Sequence, residues 1–169
     1  MDSTVCARCA DRGTACCTIA PGEEAVCFPL SPWEIERIAP HAPDIAWHVA
    51  EPNSLELHAM LQRLFPMEAA GLIEAFPLGR DHERLATDAR GRCVLLDSFG
   101  CLLPVEARPL HCSLFPFWMK GREIMILDAD CLAIGEARGP AMLFRSLAMD
   151  PDRVRSLFAS LRVSLGLAA

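Results

Sequence analysis

Nine cysteines, split into two groups, constrain this chain more than any other feature. Cys6, Cys9, Cys16, Cys17 and Cys27 crowd the N-terminal end, Cys93, Cys101, Cys112 and Cys131 occupy the second half, and residues 28–92 contain none. At about 5% of the chain, this density falls short of a small disulfide scaffold. The segment Met1–Cys6 carries neither a basic stretch nor the apolar run of a secretory leader, which predicts a cytoplasmic, reducing setting. There, clustered thiols point to metal ligation or redox chemistry rather than to structural disulfides.

The remaining composition narrows the classes further. With 169 residues, 52% of them hydrophobic and 22% charged, the chain can build one domain with a real core. Sixteen basic residues against 22 acidic ones give a net charge of −6, the wrong sign for a general nucleic-acid partner. No run approaches the roughly 18 uninterrupted apolar residues of a membrane span. Arg80, Arg84, Arg90 and Arg92, and Arg145, Arg153, Arg155 and Arg162, are interleaved with acids and apolar residues and read as solvated faces.

Local signals predict an α+β fold of several helices and two short β-hairpins organised around cysteine-ligated metal. Ser31-Pro32-Trp33-Glu34 opens a helix, with Ser31 as cap, Pro32 in the first position and Glu34 closing a capping box. Asn53 or Ser54 caps a second helix, and a third runs from Pro66 to about Phe76. Residues 84–87 and 93–96 read as two strands around a turn at Asp88–Gly91. A second hairpin turns at Lys120-Gly121, between Phe115–Met119 and Glu123–Leu127. Ala141–Met149 and a segment capped by Asp150 then predict two helices, the latter with Val154, Leu157, Phe158, Leu161 and Leu165 at helical spacing. The expected organisation is a cysteine-cluster domain over residues 1–139 with a helical insert at 28–80, and C-terminal helices over 140–169 packed on the same domain. Trp33, Trp47, Trp118, Phe115 and Phe117 are expected in the core.

Cys6-x-x-Cys9 has the spacer that turns two sulfurs onto one ion, or forms a redox dithiol. A thioredoxin-type dithiol needs a preceding strand, which this position lacks. The adjacent Cys16-Cys17 can direct sulfur to different faces of a loop. The alternative is a set of small buried apolar thiols. The second group is spaced too widely for spacing alone to identify a site.

In order along the chain, Cys6-x-x-Cys9, Cys16-Cys17, Gly91-Arg92-Cys93-Val94-Leu95-Leu96-Asp97, Cys101, Arg108-Pro109-x-x-Cys112-x-x-Phe115-Pro116-Phe117 and Cys131 before Gly135 resemble the zinc- or iron-chelating cysteine-cluster family, also called CxxCxxCC or YkgJ-like. The resemblance covers roughly residues 6–139, and Arg-Pro-x-x-Cys with Phe-Pro-Phe is its most specific part. Here the gap between Cys9 and Cys16 is longer than in the name-giving pattern, and Cys27 is additional to the eight matched positions. The resemblance implies Cys6, Cys9, Cys16, Cys17, Cys93, Cys101, Cys112 and Cys131 as metal ligands; it assigns nothing to Cys27, which is open as a further ligand or a buried thiol beside the metal loop.

Thiolate-rich sites select zinc, copper(I) or iron–sulfur. A single compact CxxC with otherwise dispersed thiols favours an iron–sulfur cluster, since structural zinc more often uses paired knuckles. Arg108 is a candidate for the cofactor's surroundings, its guanidinium reaching a thiolate sulfur or a loop carbonyl. His111 adjoins Cys112 and is a candidate zinc ligand, but is expected rather beside the ligands or exposed to solvent. The leading expectation is a metal-binding protein holding an iron–sulfur cluster or zinc. Two alternatives are a redox protein or enzyme using the cluster, as a related domain in a flagellin lysine methylase suggests, and a zinc-stabilised module that binds a protein partner. No Gly-rich phosphate loop, nucleophile elbow or paired carboxylates point to another chemistry.

Overall fold

Short polar side chains cap three of the described helices. The computed structural model describes residues 4–12 and 16–167; the outer ends of the expected domains, residues 1–3 and 168–169, lie outside the described residues. Helix α1 (Thr4–Asp11) is followed by α2 (Pro32–Ile38), where the Ser31 hydroxyl accepts the Glu34 amide at 3.3 Å and the Glu34 carboxylate accepts the Ser31 amide at 3.0 Å. Strand β1 (His48–Pro52) leads into α3 (Leu55–Leu64), whose first turn is held by the Leu57 amide donating to Ser54 Oγ at 3.0 Å. Then come α4 (Ala69–Ala75), β2 (Asp81–Leu85), β3 (Leu96–Asp97), β4 (Gly100–Cys101), α5 (Leu110–Leu114), β5 (Phe117–Lys120) and β6 (Glu123–Ile126). The chain closes with α6 (Leu132–Glu136), α7 (Pro140–Ser146) and α8 (Pro151–Ser164). The Asp150 carboxylate accepts the Asp152 and Arg153 amides at 2.9 and 2.8 Å and starts α8 with Pro151 in its first turn.

The α+β class holds, but the strand pairing corrects the expected two hairpins. Among the described residues there are three two-stranded antiparallel sheets, β1–β2, β3–β4 and β5–β6. The hairpin turning at Lys120-Gly121 is present, with Phe117 opposite Ile126 and Lys120 opposite Glu123. The other expected hairpin survives as one isolated bridge, Thr87 to Cys93. Strand β2 pairs instead with β1, Arg84 facing Val49 and His82 facing Glu51. Its buried positions are His82 and Arg84, so the period-two pattern is there but written in polar residues. Asn53 Oδ1 contacts His82 Nδ1 at 2.9 Å, and Arg84 pairs with Glu51 at 3.0 Å. Arg84 is therefore an interior residue, not part of a solvated face.

Two apolar clusters fill the molecule. The larger brings together Val5 of α1, Leu57 and Leu61 of α3, Leu72 of α4, Phe117 and Trp118 of β5, and Leu143, Val154 and Leu161 from the C-terminal helices. Trp118 Nε1 donates to the Leu64 carbonyl at 2.9 Å, satisfying the indole inside it. The smaller joins Leu30, Ile38, Ala42, Trp47, Leu95 and Leu103. Trp33 departs from expectation: it is 54% exposed, with the Arg37 guanidinium 4.2 Å above its ring. Among the described residues no helix is long and apolar enough to cross a membrane.

Candidate metal centre

A stretch of paired backbone brings the two cysteine groups together. The Ile19 amide donates to the Gly91 carbonyl at 2.9 Å, the Cys93 amide donates to the Cys17 carbonyl at 2.7 Å, and Thr18 bridges Arg92 between them. The turn before Cys93 is closed by the Gly91 amide on the Asp88 carbonyl at 2.9 Å. The Asp88 carboxylate accepts the Arg92 and Arg90 amides, and these hydrogen bonds hold it below the usual carboxylate range. Gly91 has φ +77°, and a Cβ there would stand 1.9 Å from the Ile19 carbonyl oxygen, so the approach requires glycine. Beyond Cys93, the Leu96 amide donates to the Cys93 carbonyl at 3.0 Å, and Leu96 pairs with Cys101 across β3–β4. Cys17, Cys93 and Cys101 thus lie along one connected path of backbone pairing.

Cys112 reaches this path from α5. Glu34, fully buried, accepts the Leu110 amide at 2.8 Å through Oε1, while Oε2 accepts the Ser31 hydroxyl at 2.8 Å. The capping box of α2 therefore also closes the start of the helix that carries Cys112.

Cys93 and Cys112 share two thiol neighbours, Cys17 and Cys101. Burial, with Cys17, Cys101 and Cys27 acting in the same direction and a hydrogen bond from the Leu95 amide opposing them, pushes the Cys93 thiol up to about 12. Burial also pushes Cys112 well above the ordinary thiol value, with Cys17, Cys93, Cys101 and Glu34 adding in the same direction. Cys93 and Cys112 thus each feel Cys17 and Cys101. Cys27 lies at the edge of this group; burial raises its thiol, and Arg84 pulls it back.

The other expected ligands divide between two places. Cys6 and Cys9 stand three residues apart on α1, on one helical face, rather than in an irregular loop. Helix α1 packs on β4, which carries Cys101, and on α6, where Cys131 is the N-cap. Arg8 and Glu136 fasten α1 to α6 through two 2.7 Å contacts. Cys9 is buried, Cys6 and Cys131 pack against the larger apolar cluster, and Cys16 is exposed. Arg108 donates from Nε to the Leu103 carbonyl at 3.2 Å, and its own carbonyl accepts Arg37 at 2.6 Å.

His111 and Glu34 are the neighbours whose roles the sequence leaves least visible. His111 Nε2 lies 3.3 Å from Cys112 Sγ, its ring stacks on Phe28 at 4.9 Å, and its Nδ1 is sealed from solvent without a hydrogen-bond partner. Burial lowers the imidazole to about 4. Glu34 announces itself as a capping residue, but no local signal joins it to Leu110.

Thiol donors suit a soft cation, and two of them, Cys93 and Cys112, are held above the ordinary thiol value by burial. As they stand, no group of three or more His, Cys, Asp or Glu side chains among the described residues is disposed to hold a metal ion. An open groove of about 470 Å³, lined by Phe117, Arg122, Ile124, Ile126, Phe144 and Arg155 among others, includes no cysteine. Comparisons with family models, curated proteins and solved structures find no match.

Proposed function

We propose that this chain is a metal-binding protein of the cysteine-cluster type, and that Cys17, Cys93, Cys101 and Cys112 are the thiols that first take the metal. The observation that carries this reading is the backbone pairing that sets Cys17 against Cys93 and leads through Leu96 to Cys101, with Cys112 feeling all three thiols. Burying like-charging groups together is costly unless a cation compensates them, and thiols must lose their protons to bind one. Closing these sulfurs around an ion takes side-chain movement, because their present arrangement does not enclose one. The order of the cysteine motifs supports the same reading.

Either an iron–sulfur cluster or zinc satisfies four thiolates. A cluster supplies one-electron chemistry when bound, whereas zinc supplies a cross-link. The chain's own residues set the surroundings: Glu34 holds α5 in place, Arg108 fastens the preceding loop through Leu103, and the pairing at Gly91 keeps Cys17 beside Cys93. Cys6, Cys9 and Cys131, on the α1–α6 side, are the reserve for a second group of ligands, with Cys16 at the surface.

The test is elemental analysis and a UV–visible spectrum of protein purified without oxygen. Iron with acid-labile sulfide and a brown colour identifies a cluster, and a colourless protein with zinc identifies a zinc site. Cys112→Ser is expected to lose metal, and a chelator to lower the melting temperature. A metal-free wild-type protein that takes up neither zinc nor iron would sink the proposal.

A further inference from the structure

Strand β6 pairs with β5, and among the described residues no other strand lies beside it. The Leu127 amide donates to the Pro116 carbonyl at 2.8 Å, and Phe117 stands opposite Ile126 at the next position. Hydrogen-bonded and non-hydrogen-bonded pairs alternate along an antiparallel ladder, so Glu123 and Met125 bond inward to β5. Ile124 and Ile126 therefore aim their N–H and C=O groups away from it. Met125 and Ile126 are exposed, Ile124 is half-buried, and the open groove runs along the face bearing both isoleucines and Phe117. Strand edges invite further strands unless they are blunted. In β1 the bonds from the Ala86 amide to Trp47 and from the Asn53 amide to Arg80 turn Pro52 outward, which removes a donor from that edge. Strand β6 has no proline, and both of its outward positions are isoleucine.

This edge is its own complement. Arg122 and Asp128, both exposed, lie three positions before and three positions after Met125. Neither is engaged in an ion pair among the described residues. We propose that β6 pairs antiparallel with β6 of a second copy of this chain, about a twofold axis at Met125, joining the two hairpins into one sheet across a symmetric dimer. In this register Ile124 faces the partner subunit's Ile126 and the two exchange both N–H···O bonds. Arg122 comes level with the partner subunit's Asp128, and Glu123 with the partner subunit's Leu127, so no like charges meet. A slip of one residue would set outward backbone groups against inward ones. A slip of two would bring Ile124 against the partner subunit's Asp128, or Arg122 against the partner subunit's Ile126. The pairing involves no cysteine and stands independently of the metal-binding reading.

The test is sedimentation velocity on the full-length protein over a range of concentrations, with reductant present so that no disulfide joins the chains. We expect wild type to pass from monomer to dimer as concentration rises. Arg122→Asp and Asp128→Arg each set like charges against one another on both sides of the axis, and each is expected to weaken the dimer about tenfold. Both positions are exposed, so the fold tolerates the changes. The double variant Arg122→Asp/Asp128→Arg restores opposite charges and is expected to return to within about threefold of wild type. Amide hydrogen exchange locates the contact, with Ile124 and Ile126 expected to exchange more slowly in the concentrated sample. A wild type that stays monomeric up to about 1 mM overturns the proposal and leaves the edge to a segment of another protein. A dimer indifferent to the single reversals, or not recovered by the double one, overturns it by placing the contact on another face or in another register. Unchanged exchange at Ile124 and Ile126 between monomer and dimer has the same meaning.

Discussion

Glu34 and Leu110, 76 positions apart in the sequence, are joined by a buried 2.8 Å hydrogen bond from the Leu110 amide to Glu34 Oε1. With its other oxygen on Ser31, this one carboxylate closes the start of two helices, α2 and α5. The second of them carries Cys112, so a stabilising contact and the candidate centre share a residue.

Replacing Glu34 by Gln puts an amide donor where two Ser31 donors already point. We expect a loss of about 1–3 kcal/mol, the cost of unsatisfying buried polar groups. For a chain of this length that corresponds to a fall of roughly 2–12 °C in melting temperature. Differential scanning calorimetry on metal-free protein checks it, and an unchanged melting temperature would show that the buried carboxylate is dispensable.

Gly91→Ala combines a left-handed backbone with a collision against the Ile19 carbonyl. Gly22→Ala is its control, because Gly22 has φ +93° but nothing within 4 Å of the added carbon. The control carries only the backbone strain, about 1–2 kcal/mol. Urea unfolding is expected to place Gly91→Ala clearly below Gly22→Ala, and equal midpoints would contradict the close approach.

Leu161 of α8 is fully buried in the larger apolar cluster, with Val5 from the N-terminal helix. Leu161→Ala is expected to cost about 2–5 kcal/mol. The loss should appear in one cooperative transition. A two-step melt, with only the later residues affected, would mean that the C-terminal helices fold separately.

Burial lowers the His82 imidazole below its ordinary value of 6.5, with Arg84 acting in the same direction and Glu51 and Asp81 opposing. Below about pH 6.5 the unfolded chain takes up a proton that the folded chain refuses. The stabilisation is therefore complete above that pH and is lost as the pH falls towards the folded value. We expect the urea midpoint of wild type to decline between pH 7 and pH 5, and His82→Gln to decline less steeply. His111, lowered to about 4, contributes with the same sign and remains in the variant. Equal slopes would show that His82 is not the responsible group.

The helices with local caps are legible in the sequence: Ser31 with Glu34, Ser54 and Asp150 all start helices as their side-chain chemistry dictates. The hairpin at Lys120-Gly121 is equally local. What escapes is long-range or polar. The β1–β2 pair buries His82 and Arg84 where a strand pattern is expected to bury apolar residues, and its partners are distant in sequence. Helix α5 spans only five residues, and its first amide is held by a carboxylate from another helix. The cysteine motifs single out the thiols, but spacing does not say that Cys17 meets Cys93 through backbone pairing, or that Cys6 and Cys9 stand on a helix packed beside β4.

That pairing also decides when the chain is ordered. Bringing Cys17 to Cys93 closes a loop of about 75 residues, whose entropy cost grows only slowly with length. Hydrogen bonds from Ile19 to Gly91 and from Cys93 to Cys17 hold the two stretches side by side. On the proposed metal-binding reading, an ion has side chains to turn, not a coil to gather, and its affinity is that of sulfur for metal with little of the chain's disorder subtracted.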